Sequence, residues 1–151
     1  MVVGLLTDQF ERKNSRMTDD EDVFRIALTL PEATAEGSGF GIRGKGFAWF
    51  YQEKVEGVKG RVERRDVLAV RVANADAKEF LLMAAPDKFF TVPHYNGYPA
   101  VLVRLPAIDT DELTDLLREA WRIQAPKKRV AAFDADSGNE VHQTNQKAYE
   151  M

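Results

Sequence analysis

Seven cations fall between Arg43 and Asp66: Arg43, Lys45, Lys54, Lys59, Arg61, Arg64 and Arg65, against the four carboxylates Glu53, Glu56, Glu63 and Asp66. Cations at such spacing do one kind of chemistry well. They neutralise phosphates, a task that asks for positive charge at rough intervals and little else. Lys45, Lys59, Arg61, Arg64 and Arg65 are therefore the candidate nucleic-acid contacts. The segment VEGVKGR, with Gly57 and Gly60, reads as a flexible loop between two strands that lays Lys59 and Arg61 along a phosphate backbone. The interspersed acids fit a plain solvated hairpin equally well, since mixed charge is the normal state of a protein surface. Lys127, Lys128 and Arg129 carry the positive charge on past the last helix.

A second candidate is GFGIRGKGF, in which Gly39, Gly41 and Gly44 spell G-x-G-x-x-G. A dinucleotide fingerprint must follow a strand and open a helix, so that the helix N-terminus meets the pyrophosphate. Here the strand-like FAWFYQ follows instead, and Glu63, near the offset of a ribose-binding acid, lies among arginines with no βαβ unit around it. The glycines read as a hairpin, with Ile42 on one strand, Gly44-Lys45-Gly46 as the turn and Phe47 opening the next.

The third candidate is the loop His94, Tyr95, Asn96 and Tyr98, a possible ligand or partner loop. A general base needs a substrate proton or nucleophile in reach and a group to orient it. Ser38 is the only serine between the first helix and the tail, and His142 lies outside the expected fold, so no hydroxyl triad or histidine metal set is spelled out. No catalytic residue, metal or cofactor is expected, and a non-enzymatic binding role follows. Trp49, Phe50, Tyr95 and Tyr98 offer the alternative of an exposed aromatic sheet face that grips a protein or peptide. In FAWFYQ, Phe47, Trp49 and Tyr51 alternate with Ala48, Phe50 and Gln52, so one set packs on the helices and the other is freer.

These residues are carried on 151 in all, 44% hydrophobic and 30% charged, which suits one soluble domain with a single core. A net charge of −3 argues mildly against strong nucleic-acid binding unless the cations sit together on one face. The absence of cysteine rules out disulfides and thiolate metal sites. No apolar run is long enough to span a bilayer, and the start, MVVGLLTDQFERKN, lacks the basic n-region and longer apolar core of a signal peptide. The expectation is a cytoplasmic protein with no membrane partner.

Three helices carry start signals. Thr18 and Glu21 form a capping box before Val23, Phe24, Ala27 and Leu28, with a stop at Pro31. Asp76 and Glu79 repeat the box before Ala77, Phe80, Leu81 and Ala84, with a stop at Pro86. Asp109 and Glu112 cap the third, whose Leu113, Leu116, Leu117, Ala120 and Trp121 give the stripe of a core-facing helix. Strands are expected at FAWFYQ and VLAVRV, and in FFTVPHY and YPAVLVRL as a hairpin around Asn96-Gly97 with a type I′ turn. Pro93 and Pro99 fray that hairpin or put it at an edge. The expected organisation is a flexible extension over 1–16, a domain over 17–128, and a mobile polar tail over 129–151.

In succession, LPEAT, GKGFAWFY, VERRDVLAVRV, KFFTVPHYNGYPAVLVRL and AWRIQAPK resemble the MmcQ/YjbR family of small bacterial proteins over about residues 18 to 128. Several members carry His-x-Asn followed by lysine and then a His-Trp pair. Here His94-Tyr95-Asn96 matches, Gly97 stands at the lysine position and Tyr98-Pro99 replaces the His-Trp region, which marks a divergent branch. The resemblance implies an α+β fold like that of secretion-chaperone domains, with an antiparallel sheet packed on helices. It also implies a proposed DNA-binding role through a pair of wing-like hairpins; with no base-reading pattern in the residues, the duplex contact expected here is weak and sequence-independent.

Overall fold

The computed structural model describes residues 17–136; the expected N-terminal extension and residues 137–151 of the expected tail lie outside the described residues. In chain order the elements are α1 (Asp20–Ala27), β1 (Ala33–Glu36), β2 (Gly39–Ile42), β3 (Lys45–Lys54), β4 (Arg61–Arg71), α2 (Ala75–Ala84), β5 (Phe89–Phe90), β6 (Ala100–Arg104) and α3 (Thr110–Gln124). Short 3₁₀ turns lie at Pro93–Tyr95 and Leu105–Ala107, and a further helix, α4, covers 127–136. The strands form one antiparallel sheet in the order β1-β2-β3-β4-β6-β5. This is the expected α+β class, with the weak hairpin strand β5 at the sheet edge.

The α3 stripe explains the layering. Leu113, Leu117, Ala120 and Trp121 are fully buried, and α3 lies against α1 and across β2, β3 and β4. They meet Phe40, Ile42, Phe50, Leu68, Val70, Val101 and Val103, in a core where each fully buried large side chain contributes about 1.5–3 kcal/mol. The Trp121 indole N–H donates to the Pro31 carbonyl, 2.9 Å, which ties α3 to the loop leaving α1. The buried Thr18 hydroxyl donates to the Leu105 carbonyl at 2.8 Å. That bond removes Thr18 from the capping role expected of it. Asp19 is the cap, in a reciprocal box with Asp22, whereas Asp109 and Glu112 cap α3 as their spacing predicts.

The second helix departs further. Asn74, not Asp76, accepts from the Ala77 N–H, so the helix starts two residues earlier than expected, and Phe80 and Met83 face outward, 70% and 75% exposed. The inward side carries Ala77, Lys78, Leu81 and Leu82.

Two register shifts shape the sheet. One lies between Phe40 and Gly41, where Phe40 faces Ala48 and Gly41 faces Gly46. Phe47 is left over, and it joins Ala48 and Phe50 in the main core instead of sharing a face with Trp49 and Tyr51. Gly41 is required there: a Cβ would sit 2.9 Å from the Lys45 carbonyl oxygen. The other shift pairs Phe50 with Leu68 but Tyr51 with Arg64, so the distal ends of β3 and β4 form an arm set off from the body of the sheet.

The turns trade places with their expected types. Ile42 pairs with Lys45 across Arg43 and Gly44, whose φ values of 50° and 81° mark a type I′ turn one residue earlier than Gly44-Lys45-Gly46. At Asn96-Gly97, Asn96 has φ −64° and ψ 130° and Gly97 has φ 77°, and the Tyr98 N–H donates to the Tyr95 carbonyl at 3.1 Å: a type II turn. Pro93 starts a 3₁₀ turn and Pro99 follows this one, so the chain makes a long loop between β5 and β6 and not a two-residue link.

The expected polar tail is helical from its first residues. Phe133 packs on Trp121 with ring centroids 5.0 Å apart, and Val130 lies against the core. Two apolar side chains one turn apart were too short a pattern to read as periodicity.

Candidate functional site

The five expected phosphate contacts divide when placed on the fold. Arg64 forks Asp66 with 3.1 and 2.9 Å hydrogen bonds and reaches Glu53 across the strand pair. Those bonds, Asp66 first, hold its guanidinium more firmly protonated than usual, and Arg64 in turn holds Asp66 below the ordinary carboxylate range. Arg65 is paired to Glu63 and Asp20 and lies 4.9 Å from the Phe50 ring centroid. Glu63, the supposed ribose acid, accepts from the Ser38 hydroxyl and from Arg65, which lower its pKa in that order. These arginines serve the sheet.

Arg61, Lys59 and Lys45 are exposed. Arg61 donates to the Gln52 carbonyl at 3.1 Å, and neither Lys59 nor Lys45 has an ion pair among the described residues. Lys59 sits in the loop between β3 and β4, as expected, with Gly57 and Gly60 at φ 82° and 79°. Lys45 lies at the opposite end of β3, beside the Arg43-Gly44 turn.

That second end is where the structure gathers charge the sequence kept apart. Arg43, Lys127, Lys128 and Arg129 line one open cavity of about 400 Å³. Lys45 follows the turn that carries Arg43, and Gln124 donates to the Gly46 carbonyl at 2.9 Å, fixing that turn to the end of α3. Glu32 is the carboxylate of the group: Arg43 forks it at 2.9 and 3.1 Å, and Arg129 reaches it at 2.7 Å. The Arg43 bond, then the Arg129 bond, lower the Glu32 pKa to about 2. Both Glu32 and Arg43 hold positive φ, 60° and 50°, a region L-residues avoid. Strain of this kind collects at functional sites.

Lys127, Lys128 and Arg129 occupy the first turn of α4, at the positive end of the helix dipole, where the Arg129 N–H already donates to the Pro126 carbonyl at 2.9 Å. The molecule's other helices do the opposite there: α1 opens with Asp20, Glu21 and Asp22, and α3 with Asp111 and Glu112. Cations here add to the positive end of the dipole, which favours anions, and the Glu32 carboxylate is the one set against Arg129.

The His94 loop covers the far face of the sheet. The Trp49 indole N–H donates to the Tyr95 hydroxyl at 2.9 Å, Tyr95 packs edge-on to Tyr51 and Tyr98, and Tyr95 is buried with Ala69, Ala100 and Leu102. His94 and Tyr98 stay exposed, with Trp49 and Tyr95, around a shallow cavity of about 250 Å³; Asn96 lies instead on the opposite side of the turn, in a larger cavity with Lys78. Lys78 went unremarked in the sequence although Leu81, Leu82 and Ala85 follow it at helical spacing. It is 7% exposed, its ammonium donates to the Tyr95 and Tyr98 carbonyls, and burial pushes its pKa down.

Among the described residues no histidine, aspartate or glutamate group is arranged to hold a metal, and no helix is long and apolar enough to cross a membrane. Uncharacterized proteins of Mycobacterium bovis and Mycobacterium tuberculosis are each 49% identical to this chain over 73 residues, 48% of its length and 57% of theirs. The match thus spans little more than half of those relatives. No solved structure matches the chain. The family pattern YjbR matches residues 28–123, from the end of α1 to the end of α3, and the chain belongs to that family.

Proposed function

We propose that this protein binds double-stranded DNA weakly and without sequence preference, contacting phosphates through Arg43, Lys45, Lys127 and Lys128. Lys59 and Arg61 at the other end of β3 supply a second contact. The reading is of a non-enzymatic, cytoplasmic binding protein that needs no cofactor. The observation that carries it is the cationic first turn of α4 meeting the Arg43-Gly44 turn, with Glu32 as its paired acid. The ten residues of β3 separate the two basic ends by roughly 30 Å at about 3.3 Å per residue. That is near one turn of duplex, about 34 Å, a spacing that matches phosphates one turn apart on a straight duplex. Neither end presents a side-chain pattern suited to base edges, and affinity therefore comes from counterion release.

Titration of a labelled random duplex by fluorescence anisotropy tests this. Micromolar binding at about 50 mM salt should fall by orders of magnitude at about 200 mM. Absence of binding at both salts overturns it. The second reading, a peptide-binding adaptor, is favoured by the shallow aromatic cavity at Trp49, His94, Tyr95 and Tyr98, and it predicts affinity that salt leaves nearly unchanged.

A further inference from the structure

The charge on Lys78 lacks a carboxylate. Its two hydrogen bonds go to the neutral carbonyls of Tyr95 and Tyr98, and no ion pair among the described residues involves it. Arg71, half-buried, stands close by: its guanidinium lies 5.9 Å from the Tyr98 ring centroid and its buried Nε has no hydrogen-bond partner among the described residues. Two cations thus flank the Tyr95–Tyr98 turn, and among the described residues only backbone oxygens and a ring meet them. A buried charge without a counter-charge is costly, and folds normally supply one.

Lys78 also lines a cavity of about 360 Å³ between α2 and that turn. Its remaining walls are mostly apolar, with Leu82, Met83 and Pro99, and Thr91 and Asn96 as neutral polar groups. The volume falls at the lower end of small-molecule sites, about 300–1,000 Å³. Glu79, exposed at the cavity edge, is the one acid of the lining.

We propose that this cavity binds a small carboxylic acid with an apolar body, its carboxylate meeting the Lys78 ammonium and its hydrocarbon lying on Leu82, Met83 and Pro99. One ammonium in an apolar wall matches a monoanion. A phosphate ester, more highly charged, needs several donors and a wetter site. The lowered Lys78 pKa has the same origin, a desolvated cation awaiting a partner. The proposal is independent of duplex binding, which uses other residues.

The test is a heteronuclear NMR titration of the full chain with hexanoate and with its neutral isostere hexanamide, at neutral pH. Hexanoate should shift the amides of Lys78, Leu82, Gly97 and Tyr98 and bind roughly tenfold or more tightly than hexanamide, the size of one charge-assisted hydrogen bond. Glu79→Gln should strengthen hexanoate binding a few-fold by removing the repelling charge. Leu82→Trp should fill the cavity and abolish binding of both compounds with Lys78 in place. Lys78→Met should erase the preference for acid over amide; if it does not fold, the acid-to-amide ratio and Leu82→Trp decide. Equal affinity for acid and amide, shifts that map elsewhere, or binding that survives Leu82→Trp each overturn the proposal.

Discussion

The β3–β4 arm and the cluster at the start of α4 carry similar numbers of basic residues and differ in what those residues touch. On the arm, Arg64 is bonded to Asp66 and Arg65 to Glu63, each two positions away along one strand, and Glu53 completes the set from across the ladder. Side chains two apart on a strand lie on the same face, so an R-x-D or E-x-R pattern neutralises itself as soon as the strand forms. At α4, Arg43 and Lys45 come from one hairpin turn and Lys127 and Lys128 from a helix more than eighty positions later, with no strand pattern to supply acids. Charge dense in sequence is thus spent locally, whereas in the cluster gathered by the fold Glu32 takes up Arg43 and Arg129 and leaves Lys45, Lys127 and Lys128 without an acid among the described residues.

The widest separation of the two regions is expected from charge reversal. Lys127→Glu with Lys128→Glu should weaken duplex binding more than tenfold at low salt and lower the slope of log affinity against log salt by about 2, one unit per lost phosphate contact. Lys59→Glu with Arg61→Glu should flatten the slope less, because Arg61 is already engaged with the Gln52 carbonyl. Anisotropy on the same duplex ranks the pairs. A larger loss from the arm pair reverses the comparison.

A second way to break it is to undock the helix and leave every charge in place. Phe133 holds α4 through its ring contact with Trp121, and Arg122 adds hydrogen bonds of 3.0 and 2.7 Å to Asp134. Phe133→Ala should lower the local stability of 127–136 by roughly 1–2 kcal/mol, the worth of a half-buried aromatic ring. Hydrogen exchange of those amides should quicken about 5- to 30-fold while the α3 amides keep their protection. Duplex affinity should fall several-fold with it, at unchanged net charge.

What the sequence revealed and concealed follows the same division. The α3 stripe and its Asp109–Glu112 cap and the strands β3, β4 and β6 were legible, because each rests on spacing within about a dozen residues, whereas the short, mostly exposed β1 (Ala33–Glu36) carries no apolar alternation and was not. Caps shifted by a residue or two where a nearby group competed: Thr18 is drawn away by the Leu105 carbonyl, and Asn74 precedes Asp76. The glycine fingerprint was correctly refused, since Gly41 admits the Lys45 carbonyl and Gly44 turns the chain. Hidden were the features made by tertiary contact: the reach of Glu53 to Arg64 and of Asp20 to Arg65, the helix past Pro126, and Lys78 inside an apolar stripe. The candidate site lay mostly in that hidden part.

A smaller effect of opposite sign comes from Glu32, which occupies Arg43 and Arg129 together. Glu32→Gln should raise duplex affinity a few-fold by releasing both guanidinium groups. Its pKa lies at about 2, below the ordinary 4.5, so Glu32 is ionised in the folded protein at every pH where binding is measured. A depressed carboxylate pKa stabilises the fold above the unfolded value, and that contribution is lost as pH falls through the folded one. The unfolding midpoints of wild type and Glu32→Gln should therefore differ above about pH 4.5 and converge as pH falls toward about 2. Tighter duplex binding without that convergence would mean that Glu32 acts only as a repelling charge and not as the tie between the two guanidinium groups.

The smallest expected effect is the sharpest on the arm itself. Removing Arg64 alone changes the net charge, and any cation lost within a Debye length of a duplex weakens binding whether or not it touches phosphate. Arg64→Ala with Asp66→Ala avoids this, because the two form a forked pair and their joint removal leaves the net charge unchanged. Glu53 then loses its partner at the same time, which adds only a modest local repulsion at a half-exposed position. If the arm's arginines are committed to carboxylates, the double variant should keep wild-type affinity and salt slope. A slope lower by about one would show that Arg64 leaves Asp66 for a phosphate in the complex. The ion pairs of the free protein would then be a resting state of the arm, and both ends of β3 would share the work of binding.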